Sequence, residues 1–551
     1  MENTHTVSSY LIQKLHEYGI KHIFGVPGDY ILGFYDELIR SNMLKVVNTC
    51  DEQGAAFAAD AYARVKGFGA VCITYCVGGL KVVNATAQAY AEKSPVAVIS
   101  GAPGAKERTK NPLLHHVVRE YDTQQKIFEH ITVASTVLNN PSTAPAEIDR
   151  VLSMAFRYKR PIYIELPRDM VSIPVDNVPN CMKVEYEERS DPLAMAEAVE
   201  EATAMINASR KPVIVAGVEI QRFGLQDQVL QLIEKTGVPV VATILSKSVI
   251  SENYPYYLGL YEGAMGDDRV REIVESSDCL ILLGALMTDI DFGMAVTPID
   301  QSHTIYVTSE KLSIRHHNFE NVGLQYFIRS LKSANIRRRA PLRLGSYSNR
   351  SASTPFLADI GKKITVQRLF LRLASFITAD TIVIADVGDS LFGALDLVIQ
   401  RDTEFLAPAF YTSMGFAVPA AVGAQLADPK LRPLVIVGDG AFQMTGMEIS
   451  TAVRYQLNPI VIVLNNDGYG TERRLLDGPF NDLQHWEYKN IPGIVGGGRG
   501  FIVNTEDEFD VALEAANQYS DGVCILDVRL DPKDGSAALK RLTDVLGKRV
   551  R

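Results

Sequence analysis

Apolar runs of strand length recur along the chain, separated by stretches with the helical spacing of a face turned onto a sheet. The first group is "KHIFGVPGD", "AVCITYCVGG", "PVAVISGAP" and "RPIYIELPRD". A second group is "KPVIVAGVEI", "VPVVATIL", "CLILLGALM" and "HTIYVTS". A third is "DTIVIADVGD", "RPLVIVGDG", "PIVIVLNND" and "VCILDVRLD". This alternation predicts α/β layers built on parallel sheets. Two breaks divide it: "NVPNCMKVEYEERSDP", polar and acidic, and "RRRAPLRLGSYSNRSASTP", basic and without helical or strand period. The prediction is three consecutive doubly wound parallel-sheet domains, at 1–185, 193–340 and 360–551. "PIYIELPRD" and "VCILDVRLD" rhyme, which suggests that the first and third units are copies of one fold.

Composition narrows the function classes. Of 551 residues, 47% are hydrophobic and 22% charged, which is globular rather than disordered. The net charge of −10 opposes non-specific binding to nucleic acid. Six scattered cysteines without a CxxC pair read as small core hydrophobes in a reduced, cytosolic chain. No signal peptide opens "MENTHTVSSY", and no apolar run nears the roughly 20 residues of a membrane span, so the expected location is the cytoplasm.

The densest chemistry lies in "VGDGAFQMTGMEISTAVRYQLNPIVIVLNND", Val437 to Asp467. Thr445 and Glu448 have capping-box spacing, and Ile449, Ala452, Val453 and Leu457 form one apolar helix face. The stretch therefore reads as β-α-β, which puts both polar turns at the carboxyl edge of a parallel sheet, where ligands bind. Asp439 offers a carboxylate and Asn466 an amide oxygen 27 residues later, hard ligands suited to Mg²⁺ holding a phosphate-bearing molecule. Gly438 and Gly440 let backbone N–H groups approach an anion. A tight turn followed by a polar loop is the bland alternative.

GDG followed at this distance by NN resembles the signature of thiamine-diphosphate enzymes. With "GDGAFQMTGMEISTAVRYQLNPIVIVLNNDGYGTERRLLDGPFNDLQHWEY", the chain resembles the 2-oxo acid decarboxylases that act on pyruvate, indolepyruvate or phenylpyruvate. The resemblance extends over essentially the whole chain. It implies thiamine diphosphate and Mg²⁺ as cofactors, with Asp439, Asn466 and the Gly468 carbonyl as metal ligands. Glu52, in "CDEQGAAFAADAYARVKG", would hydrogen-bond the aminopyrimidine and favour its imino tautomer. Asp29 in "GVPGDY", His115 and His116 in "NPLLHHVVRE", and Glu472 in "NNDGYGTERR" match the decarboxylase acid–base set. Met414 in "AFYTSMGFAVPAA" would wedge the cofactor into its bent form, and the Thr412 backbone would face its 4'-amino group. Asp389 and Gly440 fall near the diphosphate, and Ala441 stands where a serine usually follows GDG, so one diphosphate hydrogen bond has to come from elsewhere. The second pair, His316-His317, reads as surface.

Leu391 and Thr471 replace bulkier residues of pyruvate enzymes at the expected substrate pocket. A wider pocket favours aromatic or branched 2-oxo acids over pyruvate, at about 1–3 kcal/mol per methylene. The rivals are a pyruvate decarboxylase, a thiamine carboligase of the acetolactate synthase type, and a nucleotide sensor. The resemblance also implies a homodimer or homotetramer with intersubunit active sites, and the C-terminal "GSAALKRLTDVLGKRVR" reads as a helix that covers the site or as a simple surface tail.

Overall fold

The computed structural model describes residues 5–175, 190–293, 299–340, 342, 356–399 and 405–550. Most of the acidic linker, Cys181 with it, and most of the Ser- and Arg-rich break lie outside the described residues.

Every apolar run named above is a strand. β1 (His22–Gly25), β2 (Lys45–Asn48), β3 (Gly69–Ile73), β4 (Val96–Ala102), β5 (Ala134–Val137) and β6 (Ile162–Pro167) form a parallel sheet ordered β2-β1-β3-β4-β6-β5. The middle sheet holds β7 (Pro212–Ala216), β8 (Val240–Ala242), β9 (Tyr257–Leu260), β10 (Cys279–Leu283) and β11 (Thr304–Val307), all parallel. An antiparallel hairpin, β12 (Leu312–Ile314) and β13 (His317–Phe319), extends its edge. This hairpin departs from the all-parallel expectation. His316 and His317 sit at its turn, exposed, as read from the sequence.

The third sheet consists of β14 (Thr381–Ala385), β15 (Phe405–Leu406), β16 (Arg432–Gly438), β17 (Ile460–Asn465), β18 (Arg499–Val503) and β19 (Cys524–Arg529). Its order, β15-β14-β16-β17-β19-β18, repeats that of the first sheet strand for strand. The two rhyming runs are β6 and β19, the sixth strand of each. The duplication suggested by composition is thus a duplication of topology.

The two copies meet through equivalent helices. Each follows the second strand of its sheet: Glu52–Lys66 after β2, Ala417–Ala427 after β15. Both are rich in alanine, so their backbones approach closely. A Cβ on Gly423 would lie 1.9 Å from the Ala58 carbonyl oxygen, so only glycine fits that crossing.

Two further expectations fail. The helix after GDG begins at Asp439 itself (Asp439–Thr445), a 3-10 turn follows, and a second helix runs Ile449–Arg454. Thr445 therefore caps nothing. Its hydroxyl donates to the Gly415 carbonyl, while Glu448 accepts N–H bonds from Cys50 and Asp51 in the first unit. Tertiary partners outcompete the local box. Cys50, read as core, is exposed, whereas Cys72, Cys76, Cys279 and Cys524 are buried. The apolar face holds: Ile449, Ala452 and Leu457 are buried with Val435, Val437, Val461 and Val463.

Candidate active site

β16 and β17 are parallel neighbours, with Gly438 opposite Leu464, so the two polar turns leave the same sheet edge side by side. Asp439 is buried. Its carboxylate accepts the Gly440 N–H at 2.8 Å and the Gly468 N–H at 3.1 Å. Burial, offset only partly by these bonds, pushes its pKa up to about 6. Gly468 has no room for a side chain: a Cβ there would meet the Arg473 guanidinium at 2.3 Å and the Asn481 carbonyl at 2.4 Å.

A cavity of about 130 Å³ opens at this edge. Asp389, Met414, Asp439, Gly440, Ala441, Asn466, Gly468, Thr471 and Glu472 all line it. Arg473 turns to Asp482, and Arg474 turns to the Lys533 carbonyl, so the two arginines beside Glu472 are engaged elsewhere. The Asp389 carboxylate accepts the Ser536 N–H at 3.0 Å, and burial pushes its pKa up. Thr412 takes φ +56, a left-handed backbone that is uncommon for a β-branched residue.

Leu391 is not a wall of this cavity. It is 1% exposed and packs into the apolar core, because the helix Asp389–Ala394 turns its neighbours Ser390 and Phe392 toward the opening instead. The sequence reading missed both. Ser390 Oγ is buried without a partner among the described residues. Asp534 and Leu539 also line the cavity, so the C-terminal helix Ala537–Val550 covers the site.

The remaining candidates sit on the equivalent edge of the first sheet. Asp29 follows β1, Glu52 follows β2, and His115 and His116 follow β4. His115 Nε2 lies 2.8 Å from Asp29 Oδ2, and Tyr30 stacks on the His115 ring at 4.8 Å. His116 takes φ +68, which folds the pair out of any regular element and gathers Asp29, His115 and His116 in one cluster. His116 Nδ1 is buried without a partner among the described residues. Glu52 opens its helix, and its carboxylate is held by Lys81 at 2.7 Å, with Asp51 on the same ammonium. Gly78 lies between Thr74 and Glu52: a Cβ there would be 3.1 Å from the Thr74 carbonyl and 3.3 Å from Glu52 Oε1. Lys81 carried no sequence signal and Glu448 only that of a local capping box, since both act on residues distant in the chain.

The chain therefore carries two candidate half-sites on the matching edges of two copies of one fold. Among the described residues, none of those around the Asp439 cavity comes from the first unit.

Such paired edges define a class that comparison with known proteins identifies. Three family models match: "Thiamine pyrophosphate enzyme, N-terminal TPP binding domain" over residues 5–127, the central domain over 199–333, and the "C-terminal TPP binding domain" over 386–528. An indole-3-pyruvate decarboxylase of Azospirillum brasilense is 36% identical, over 92% of each chain. An alpha-keto-acid decarboxylase of Mycobacterium leprae is 32% identical over 98% of this chain and 96% of its own. Pyruvate decarboxylase 1 of Pisum sativum is 30% identical over 97% and 92%. The chain belongs to the thiamine-diphosphate-dependent 2-oxo acid decarboxylases, and it is an enzyme of that kind. No helix among the described residues is long and apolar enough to cross a membrane.

Proposed function

We propose that the protein decarboxylates aromatic or branched 2-oxo acids to aldehydes and CO₂, at sites shared between two copies of the chain. The observation that carries this reading is the split site. The 130 Å³ cavity lies below the roughly 300–1,000 Å³ of a complete small-molecule site, and its walls come only from the third unit. The first unit's Asp29, Glu52, His115 and His116 complete it when a second copy docks. Large apolar side chains next to both half-sites are exposed, Val77 and Leu113 on one side, Met444, Met447 and Phe480 on the other. A homodimer or a tetramer built from such dimers covers them.

The residues present fit the cofactor. Asp439 is a buried carboxylate with two N–H partners and no cation among the described residues, beside Asn466 and the Gly468 backbone on one wall. A hard divalent ion, Mg²⁺, suits that set of oxygens. The orphaned Ser390 hydroxyl would supply the diphosphate hydrogen bond that Ala441 cannot make. When bound, thiamine diphosphate provides the nucleophilic carbon and the electron sink for C–C cleavage. Glu52 would hold the pyrimidine ring by a hydrogen bond, and Met414 and the Thr412 backbone would support the cofactor from the other unit. His115, oriented by Asp29, together with His116 and Glu472, moves protons to and from the reacting substrate.

Thr471 lines the cavity, and a Cβ on Gly388 would lie 3.2 Å from its hydroxyl, so the small threonine and the glycine open this wall together. Steady-state kinetics across pyruvate, branched and aromatic 2-oxo acids test the preference: kcat/KM is highest for an aromatic or branched substrate, and a maximum for pyruvate would overturn it. Product analysis finds one aldehyde per CO₂; a coupled hydroxy-ketone as main product would instead indicate a carboligase. Glu52→Gln loses nearly all turnover while the fold is retained.

A further inference from the structure

The middle unit has a second cavity, of about 940 Å³, at the amino edge of its sheet. It opens where the chain enters β7 and β8 and before β10, the side opposite the carboxyl edges used by the half-sites. Six cationic side chains line it, Arg210, Lys211, Arg269, Arg337, Arg338 and Arg339, against one carboxylate, Glu272. In a chain of net charge −10, this is a concentrated reversal of sign.

The cluster is built into the fold. The backbone N–H of Arg337 donates to Asn207 Oδ1 at 2.7 Å, and that of Arg339 to the Thr236 carbonyl at 2.8 Å. The Arg339 guanidinium donates to the carbonyls of Ile206 and Ser209, which fixes it against the sheet. Gly237 makes this approach possible: its φ is +70, and a Cβ would lie 2.3 Å from the Arg339 carbonyl oxygen. Asp278 sits nearby, but its oxygens accept the backbone N–H groups of Arg210 and Lys211 at 2.7 and 2.8 Å. Arg269 has Asp267 at 3.5 Å; among the described residues the other five form no ion pair. Burial pushes the Arg339 pKa down, with Arg337 adding to it, and Cys279 and Asp278 offset this only in part. Like charges fixed together are unfavourable alone, and an anion that enters relieves them.

We propose that this cavity binds a small molecule carrying two or more phosphate groups. Planar guanidinium forks match phosphate oxygens in pairs. The volume falls in the range of metabolite sites, and Ile273, Pro212 and Pro239 give an apolar floor. The concave shape distinguishes it from the open basic stripe that tracks a nucleic acid backbone.

Binding of fructose 1,6-bisphosphate to the holoenzyme, followed by calorimetry with the thiamine site already filled, tests the proposal. The expected result is saturable binding of one molecule per chain that weakens steeply with salt, with inorganic phosphate at least about tenfold weaker. Arg210→Gln combined with Arg338→Gln, both exposed positions remote from the half-sites, weakens it by about tenfold or more and leaves kcat unchanged. Absence of saturable binding at ~10 mM overturns the proposal. So does wild-type affinity in the double variant, or a DNA duplex that competes more strongly than the bisphosphate.

Discussion

Asp439, the proposed metal ligand, is a buried carboxylate that costs the fold stability. Its pKa is pushed up to about 6 by burial, against 3.8 for the free side chain. The folded apoprotein thus holds a proton there that the unfolded chain releases between pH 3.8 and 6. The penalty is absent below that window, grows through it, and is fully present above pH 6. Asp439→Asn removes it, so the apo variant gains up to about 3 kcal/mol at pH 7 by urea unfolding and no advantage at pH 4. The same variant binds no Mg²⁺ by metal analysis. In the wild type, metal-dependent cofactor binding weakens as pH falls below about 6; binding that is flat from pH 7 to 5 would contradict the metal role. From the sequence Asp439 was readable as an oxygen ligand, because GDG and NND end adjacent strands. Its burial was not, since that depends on Tyr469, Leu464 and the loop around Asn481 closing over it.

Among elements, the crossing of Glu52–Lys66 with Ala417–Ala427 carries the most consequence, since it fixes the two sheet edges relative to each other. On an exposed helix, Gly→Ala stabilises by about 1 kcal/mol. At Gly423 the sign reverses, because the added methyl would strike the Ala58 carbonyl at 1.9 Å and push the backbones apart. Gly423→Ala is expected to destabilise by about 1–3 kcal/mol in chemical unfolding, with a larger loss for Gly423→Val. The Ala- and Gly-rich composition of Glu52–Lys66 is visible in the sequence and permits close approach of another helix. The structure shows that Ala417–Ala427 of the same chain takes that place. Glu448 reinforces the contact by capping the first turn of Glu52–Lys66 from the other unit. A local reading assigns Glu448 to its own helix, because a capping box is a pattern within four consecutive residues and a tertiary partner leaves no such pattern.

The whole molecule is held together by buried charge as well as by apolar faces. Lys247, in the middle unit, is fully buried, 2.7 Å from Glu252, and donates to the carbonyls of Leu395 and Leu397 in the third unit. Glu252 in turn accepts the Ile399 N–H. Lys247→Met leaves Glu252 buried without its cation, which costs about 3–5 kcal/mol. Calorimetry is expected to show a lower and broader transition as the middle unit loosens from the third; an unchanged single transition would mean that the pair does not couple the units. Glu262 at the same junction is pushed up to about 8 by burial, with Asp396 next in effect. It keeps its proton when folded and loses it when unfolded between pH 4.5 and 8, so stability from this group falls as pH rises through that window. Glu262→Gln therefore raises the melting temperature more at pH 8 than at pH 5.

What the sequence determined by itself was whatever depends on near neighbours. The parallel strands, the β-α-β unit around GDG, the polar turns that end its two strands and the two copies' rhyming sixth strands are all written in short-range pattern, because burial on both faces of a sheet demands continuous apolar runs. The short edge strands β2, β5, β9, β15 and β18 were not legible, since each has few apolar residues and is fixed by its neighbour's free hydrogen-bonding edge. Tertiary structure alone decided that Leu391 faces the core while Ser390 and Phe392 face the cavity, since a helix's rotation is set by what it packs against. It also decided that Asp29, His115 and His116 gather on one edge and the Asp439 cavity on its counterpart, and that scattered arginines from three segments converge on a single pocket. Distances between remote segments follow from how whole layers stack, and no stretch of sequence encodes them locally.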